Sequence, residues 1–301
     1  MSAEPAAIIL GATASGKSGL AYQLALRLPG EIISADSRGF YRGLDIGTAK
    51  PPPDWRAQVP HHLIDICELD QPYNVMDFRC AVARLLPQIR ARGRRPLIVG
   101  GSMLYLHVLT AGLFAGPPAD PRLRQALSQV PLAELYGQLK QIDPEAAGRI
   151  HPHDRGRLVR ALEVYRLSGR PISEWQHQKT RPLLKNFLKI GLCLERAKLY
   201  RRIARRLQEQ LERGLLNEAR ALHGRLRPGM PAYKTLGYPE LFAYLEGYCS
   251  LDQAITQIEK HTRHYARRQL IWFRRDPQIH WIDVSDKSPA EITSEALELL
   301  S

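Results

Sequence analysis

The eight residues Gly11-Ala-Thr-Ala-Ser-Gly-Lys-Ser18 constrain this chain more than any other feature. They fit the pattern G-x4-G-K-[S/T], and their flanks fit the context that pattern requires. Ahead of them, Ala6–Leu10 is a short apolar run that reads as a buried strand. Behind them, Leu20, Leu24 and Leu28 recur at helical spacing. Gly11, Ala12, Thr13, Ala14, Ser15 and Gly16 supply backbone N–H groups that can turn inward around phosphate oxygens. Lys17 adds a positive charge, and the helix start adds its partial charge. Ser18 is the candidate Mg²⁺ ligand, the metal arriving with a phosphorylated substrate.

The rest of the chain alternates in the same way. Glu31–Ala35 reads as a strand ending at Asp36, and His62–Ile66 as a further strand. Val75–Arg92 reads as a helix with Asn74 as N-cap and Gly93 beyond its end. Pro96–Val99 is a strand that runs into Gly100-Gly101-Ser102. Such alternation predicts an α/β fold, a P-loop NTPase-like core with a mostly parallel sheet flanked by helices. At Gly116-Pro117-Pro118 the character changes to helices without strands. Residues 117–186 are therefore expected to form a helical insertion domain, with 1–116 and 187–301 as the core. Phe187–Leu194 and His280–Val284 are later strands. Two long helices lie between them, one stopped by Gly214 and one opened by a Ser250/Gln253 capping box.

Charge bears on the partner. The chain of 301 residues carries a formal net charge of +13, and Glu195–Arg275 alone holds 17 Lys/Arg against 8 Asp/Glu. A basic surface of this kind suits a polyanion, and aromatics among the cations suit unpaired bases. Cys67, Cys80, Cys193 and Cys249 form no Cys-x-x-Cys pair, so four buried thiols are expected rather than a zinc site. No run of about 18 apolar residues occurs, and the N-terminus lacks a basic signal-peptide start, so the expected compartment is the cytoplasm.

P-loop ATPases hold Mg²⁺ through an aspartate that ends an apolar strand. Here Leu97-Ile98-Val99 ends in Gly-Gly-Ser instead. Asp36 lies at another strand end, at the sheet edge where open α/β folds bind ligands, and can act as metal ligand or general base. Ser102 can donate to a phosphate or leaving-group oxygen while also capping a helix. Asp65 reads as a cap or surface carboxylate.

With these residues in place, the chain resembles the bacterial tRNA dimethylallyltransferases (tRNA isopentenyltransferases). The match includes Gly11–Ser18, Ile33-Ser-Ala-Asp36-Ser37, Tyr41-Arg-Gly-Leu-Asp-Ile-Gly-Thr-Ala-Lys50-Pro51 and Val99-Gly-Gly-Ser102-Met-Leu-Tyr105. It continues through Ile150-His-Pro-His-Asp-Arg155, Arg160-Ala-Leu-Glu-Val164, Gly237-Tyr238 and Arg267-Arg-Gln-Leu-Ile-Trp-Phe-Arg274. The resemblance implies transfer of a dimethylallyl group from dimethylallyl diphosphate to the N6 amine of the adenosine 3′ of a tRNA anticodon. It makes Asp36 the catalytic base, with Ser102 and Lys17 beside it, and Gly11–Ser18 the diphosphate site with Mg²⁺ at Ser18. The implied tRNA contacts are Asp36, Ser37, Arg38, Gly39 and Ser102 of the core, and Arg124, Gly156, Arg157, Leu158, Val159 and Arg160 of the insertion. Further implied contacts are Lys234, Thr235, Leu236, Gly237, Tyr238 and Pro239, then Arg267, Arg268, Gln269, Leu270, Ile271, Trp272, Phe273 and Arg274. Gly39 and Gly156 stand where members often carry glutamine. Arg202 and Arg206 match a basic pair facing phosphate. A monomer that clamps the anticodon stem-loop is expected.

Other readings share parts of this pattern. A P-loop kinase for a small metabolite has no need of the basic second half and would call for the strand-end aspartate that is missing here. An isopentenyltransferase for free adenine nucleotides shares the P-loop and Asp36 but not the basic insertion. A non-enzymatic RNA-binding protein has no use for the P-loop.

Overall fold

A computed structural model describes residues 5–178 and 181–301. Its sheet is built from β1 (Ala6–Gly11), β2 (Gly30–Ser34), β3 (His61–His62), β4 (Arg95–Gly100), β5 (Phe187–Cys193) and β6 (Ile279–Asp283). The spatial order is β3-β2-β4-β1-β5-β6, and every pairing is parallel. Every residue of β1 is buried. A strand covered on both faces needs no polar alternation, which is why Ala6–Leu10 reads as a continuous apolar run. Register aligns Leu10 with Gly100 and Ser34 with Val99. The carboxyl ends of β2, β4 and β1 therefore lie side by side.

In the first half, α1 (Lys17–Arg27), α2 (Pro53–Gln58), α3 (Val75–Ala91) and α4 (Met103–Thr110) connect the strands. Leu20, Ala21 and Leu24 turn the inner face of α1 into the core that also takes Ile9, Leu97 and Leu192. Trp55 of α2 stacks on Tyr22 of α1 with ring centroids 4.4 Å apart. Asn74 caps α3 in a capping box with Asp77, as its position predicts.

The third strand is shorter than the expected His62–Ile66. Only His61 and His62 pair with β2. Leu63 and Asp65 adopt left-handed backbone, at φ 61° and 57°, which breaks the strand. The Ile66 N–H turns instead to the Phe40 carbonyl at 2.8 Å. Asp65 pairs with Lys50 and Arg56 and so anchors a loop. The expectation of four buried thiols also fails. Cys67 is buried, but Cys80 lies on the outer face of α3, Cys193 and Cys249 are part-exposed, and all four are free.

The chain divides into two compact units, residues 1–109 with 184–301, and residues 110–183. The second begins ahead of the Gly116-Pro117 break, because helix α4 ends at Thr110. It contains α5 (Pro121–Gln129), α6 (Leu132–Ile142), α7 (Pro144–Arg149), α8 (Arg155–Ser168) and α9 (Ile172–His177). Leu127, Leu135, Leu139, Leu158 and Leu162 fill its own core. Asp120, Asp143 and Asp154 cap α5, α7 and α8, and Gly169 closes α8 in left-handed backbone.

One charge organises this unit. Glu163 of α8 is fully buried. It accepts a two-pronged bond from Arg124 at 2.9 and 3.0 Å, another from Arg160 at 2.6 Å and the Asp120 N–H at 2.8 Å. Burial pushes the carboxyl upward, but these donors outweigh it and the pKa is lowered.

Helices α10 (Arg196–Glu212), α11 (Leu215–Leu222), α12 (Tyr238–Leu245), α13 (Leu251–Phe273) and α14 (Pro289–Leu300) complete the first unit. Leu199, Ile203 and Leu207 bury the inner face of α10, and the Ser250–Gln253 box opens α13. Among the described residues no helix is long and apolar enough to cross a membrane.

Glu163→Ala leaves two guanidinium groups and one amide without their acceptor. A loss of about 2 kcal/mol is expected. Urea unfolding should read it, with hydrogen exchange accelerated in α5 and α8 and unchanged in β1 and β4.

Candidate active site

The phosphate cradle is built by backbone. Gly16 sits at φ 100° at the start of α1, and no side chain caps that helix. Its first amides are left for a ligand. The Ser15 hydroxyl is buried beneath the loop without a protein partner. Lys17 donates from Nζ to the Ala12 carbonyl across the loop. Its ammonium is desolvated and faces Arg206, and both effects pull its pKa down to about 7, with Asp36 opposing them. Arg206 of α10 reaches in from the other side, to the Thr13 hydroxyl at 3.3 Å and the Thr48 carbonyl at 3.5 Å. Burial lowers its pKa as well, and Asp36 again opposes. Two desolvated cations at a glycine loop, offset by one nearby carboxylate, form a site that favours a polyanion.

The strand ends beside the loop bring in Asp36 and Ser102. Gly100 permits their approach, since a Cβ there would lie 2.2 Å from the Ala35 carbonyl oxygen. The Ser102 amide donates to that carbonyl, and the Ser37 amide donates to Ser102 Oγ at 3.0 Å. Asp36 accepts the Arg38 amide at 2.9 Å through Oδ1.

A loop over the site is held by one carboxylate. Glu218 of α11 accepts the amides of Asp45, Ile46 and Gly47 at 2.9–3.1 Å and the Tyr238 hydroxyl at 2.6 Å. The following turn is fastened by buried Lys50, which donates to the Tyr41 carbonyl at 2.7 Å and to Asp45 at 2.6 Å. Thr48, Ala49 and Lys50 thereby wall the site.

Two cavities meet here. One, of about 120 Å³, runs from Lys17 and Ser18 past Asp36 and Ser102 toward an apolar lining of Ala21, Ile32, Ile64 and Val99. The other, of about 290 Å³, is walled by Arg38, Lys234, Arg268 and the backbone around Gly237. Thr13, Asp36, Thr48, Arg206 and Tyr265 line both. Tyr265 of α13 stands beside Ser102, and burial together with the Asp36 charge pushes its phenol up to about 12. It therefore stands neutral at the junction.

These positions sort the sequence expectations. Lys17, Asp36, Ser102, Ser37, Arg38, Gly39, Lys234, Thr235, Leu236, Gly237 and Arg268 do line the paired cavities. Arg267, Ile271 and Arg274 form an exposed stripe on the opposite side of α13 with Lys260 and His264. Leu158 and Val159 are corrections, because their side chains fill the insertion core and cannot reach a partner. Arg124 and Arg160 are consumed by Glu163, and Arg160 also donates to the Pro117 carbonyl at 2.8 Å. Gly156 and Arg157 remain exposed on α8. Tyr238 and Phe273 are buried, and Tyr238 is spent on Glu218. Trp272 and Leu270 are part-buried, Leu270 against the core. Gln269 is 1% exposed; it also lines the smaller cavity, facing the strand ends rather than the surface. Arg202 turns from the cavity to the Val284 carbonyl at 3.1 Å. Sequence reasoning left Thr48, Ala49, Lys50 and Tyr265 without roles. The spacing Ile258, Thr262, Tyr265, Gln269 marks one helix face and was the available signal for Tyr265.

Fold and site together define a P-loop protein whose glycine loop opens onto a basic groove, with a carboxylate between the two. The chain is 45% identical over 289 residues to the tRNA dimethylallyltransferase of Geobacillus kaustophilus, covering 94% of this chain and 92% of that protein. It is 44% identical to the tRNA dimethylallyltransferase of Geobacter sulfurreducens, over 92% and 91% of the two chains. The crystal structure of the tRNA isopentenylpyrophosphate transferase from Bacillus halodurans superposes with a TM-score of 0.72 at 37% identity, covering 99% and 97% of the chains. A eukaryotic dimethylallyltransferase acting on tRNA superposes with a TM-score of 0.85 at 26% identity, covering 98% of this chain and 78% of that one. The family model for IPP transferases matches residues 39–276, and the chain belongs to that family.

An anion entering the cradle raises the Lys17 pKa from its depressed value. Binding of inorganic diphosphate above about pH 7 should then take up as much as about one proton, and affinity should fall as pH rises. Calorimetry in buffers of different ionisation enthalpy reads the uptake, and Lys17→Met should remove it.

Proposed function

We propose that this chain transfers a dimethylallyl group from dimethylallyl diphosphate to the N6 amine of the adenosine 3′ of a tRNA anticodon. One observation carries the reading. The phosphate cavity and the basic groove share Asp36, Thr13, Arg206 and Tyr265 as a common wall. A diphosphate ester in the first cavity and a base extruded into the second meet beside a carboxylate.

The roles follow from chemistry. The cradle amides, Lys17 and Arg206 hold the diphosphate and stabilise the charge that collects on it as the C–O bond breaks. The apolar end of the smaller cavity takes the prenyl carbons and keeps water from them. The amine nitrogen forms the new C–N bond, diphosphate leaves, and Asp36 accepts the amine proton. Ser102, fixed by Ser37, offers its hydroxyl to the leaving oxygen or the nucleotide. Mg²⁺ bound to the diphosphate would add positive charge at the leaving group. Ser18, an exposed hydroxyl on the cavity wall, suits it as one oxygen ligand. The described residues contain no cluster of three His, Cys, Asp or Glu, so the remaining ligands would be phosphate and water.

The tRNA is held by Arg38, Lys234 and Arg268 at the groove and by the outer stripe of α13. The insertion offers Arg157. The protein acts as a monomer in the cytoplasm, where a tRNA substrate resides.

The direct test offers labelled dimethylallyl diphosphate and Mg²⁺ to anticodon stem-loop RNA and, in parallel, to AMP. Label is expected in the RNA alone. Label in AMP alone overturns the RNA reading, and ATP hydrolysis with no transfer overturns both. Asp36→Ala should lower kcat by about 10²- to 10⁴-fold with little change in RNA affinity. Arg268→Ala should weaken RNA binding and reduce the slope of log K against log salt by about one contact.

A further inference from the structure

The residue that aligns the two halves of this site is Gln269. Its side chain is 1% exposed. Oε1 accepts the Thr13 amide at 2.8 Å, and Nε2 donates to the Gly101 carbonyl at 2.9 Å. One amide group thus bridges the loop after β1 to the loop after β4. The amide packs directly on the glycine, since a Cβ at 101 would lie 2.2 Å from Nε2 and would displace it.

The Thr13 N–H and the Ala12 carbonyl belong to one peptide unit, and across a trans peptide they point in opposite directions. Gln269 holds the N–H side. Lys17 Nζ is parked on the carbonyl side. Fixing the plane of this peptide therefore fixes where the lysine rests before a ligand arrives. At the other end, Gly101 immediately precedes Ser102, whose hydroxyl receives the Ser37 amide next to Asp36. The phosphate cradle and the catalytic strand ends are tied through this single side chain.

We infer that Gln269 is a positioning residue. It sets the spacing between the bound diphosphate and the Ser102–Asp36 pair, and it acts through the Ala12–Thr13 peptide rather than by touching RNA. The inference rests on the diphosphate reading of the cradle. It separates Gln269 from Arg267, Arg268 and Arg274 of the same segment, which are exposed. A displacement of reacting groups by about 1 Å can cost about 100-fold in rate.

Two substitutions discriminate the roles. In Gln269→Glu, a protonated carboxyl keeps both bonds, its carbonyl accepting from Thr13 and its O–H donating to Gly101. The ionised carboxylate of the same variant faces the Gly101 carbonyl without a proton to give. Gln269→Leu keeps the volume and makes neither bond. The charged groups facing this corner are Lys17 of α1, Arg206 of α10 and Asp36 after β2, with the Tyr265 phenol on α13 itself. All are common to variant and parent, so the ratio of the two isolates position 269.

The experiment measures kcat/KM for dimethylallyl transfer, RNA affinity and binding of inorganic diphosphate for Gln269→Glu, Gln269→Leu and the parent between about pH 6 and pH 8. For Gln269→Leu, transfer should fall by about 10- to 100-fold with RNA affinity within about twofold of the parent. For Gln269→Glu, the ratio to the parent should recover by about tenfold from pH 8 to pH 6, in diphosphate binding as well as in transfer. A flat ratio for Gln269→Glu, or RNA affinity lost in step with transfer in both variants, overturns the inference. If Gln269→Leu fails to fold, the pH response of Gln269→Glu still decides. If the parent transfers no prenyl group, the functional reading fails, and diphosphate binding still reports on Gln269.

Discussion

The crowding of Lys17 and Arg206 into one desolvated pocket is the constraint on which the site depends. Burial disfavours the charge of both, Arg206 disfavours that of Lys17 further, and Asp36 relieves both only in part. A protein tolerates this arrangement where a polyanionic ligand completes it. The parallel sheet makes it possible. The loop after β1 sits centrally, and β4 and β2 follow on one side of it, so Ser102 and Asp36 fall next to the cradle. The helices that close the sheet then deliver Arg206 from α10 and Tyr265 from α13 to the same point.

Much of the fold was legible in the sequence because its local signals agree with its global demands. The P-loop, the capping boxes at Asn74 and Ser250, and the glycine stops at Gly169 and Gly214 each act within a few residues. What was not legible depends on non-local contacts. The third strand stops at His62 because Leu63 and Asp65 turn left-handed, Asp65 held by the Gly39 carbonyl and Lys50 and the next residues by the Phe40 carbonyl, partners no local pattern relates to them. Four cysteines read alike by composition, yet Cys67 lies in a buried loop, Cys80 on the exposed face of α3, Cys193 at the end of β5 and Cys249 in the turn before α13.

The site divides in the same way. Asp36, Ser102 and the cradle sit at strand ends and carry their meaning locally. The contiguous segments read as RNA-facing do not, because a helix presents only one residue in three or four to any one surface. Leu158 and Phe273 therefore go to the core while Arg157 and Arg274 face solvent. Arg124 and Arg160 were indistinguishable from free cations until Glu163 was found buried between them. Tyr265 and Gln269 share a face of α13 that the surrounding arginines hide from any count of charge.

Helix α13 carries both kinds of residue over 23 positions, and neither glycine nor proline interrupts it. At 1.5 Å per residue it spans about 34 Å. With nothing in it to serve as a flexure, such a helix moves as a stiff rod. A load applied to its outer arginines is delivered undiminished to Tyr265 and Gln269 on its inner side. The exposed cations and the side chains that line the site are thus two faces of one lever.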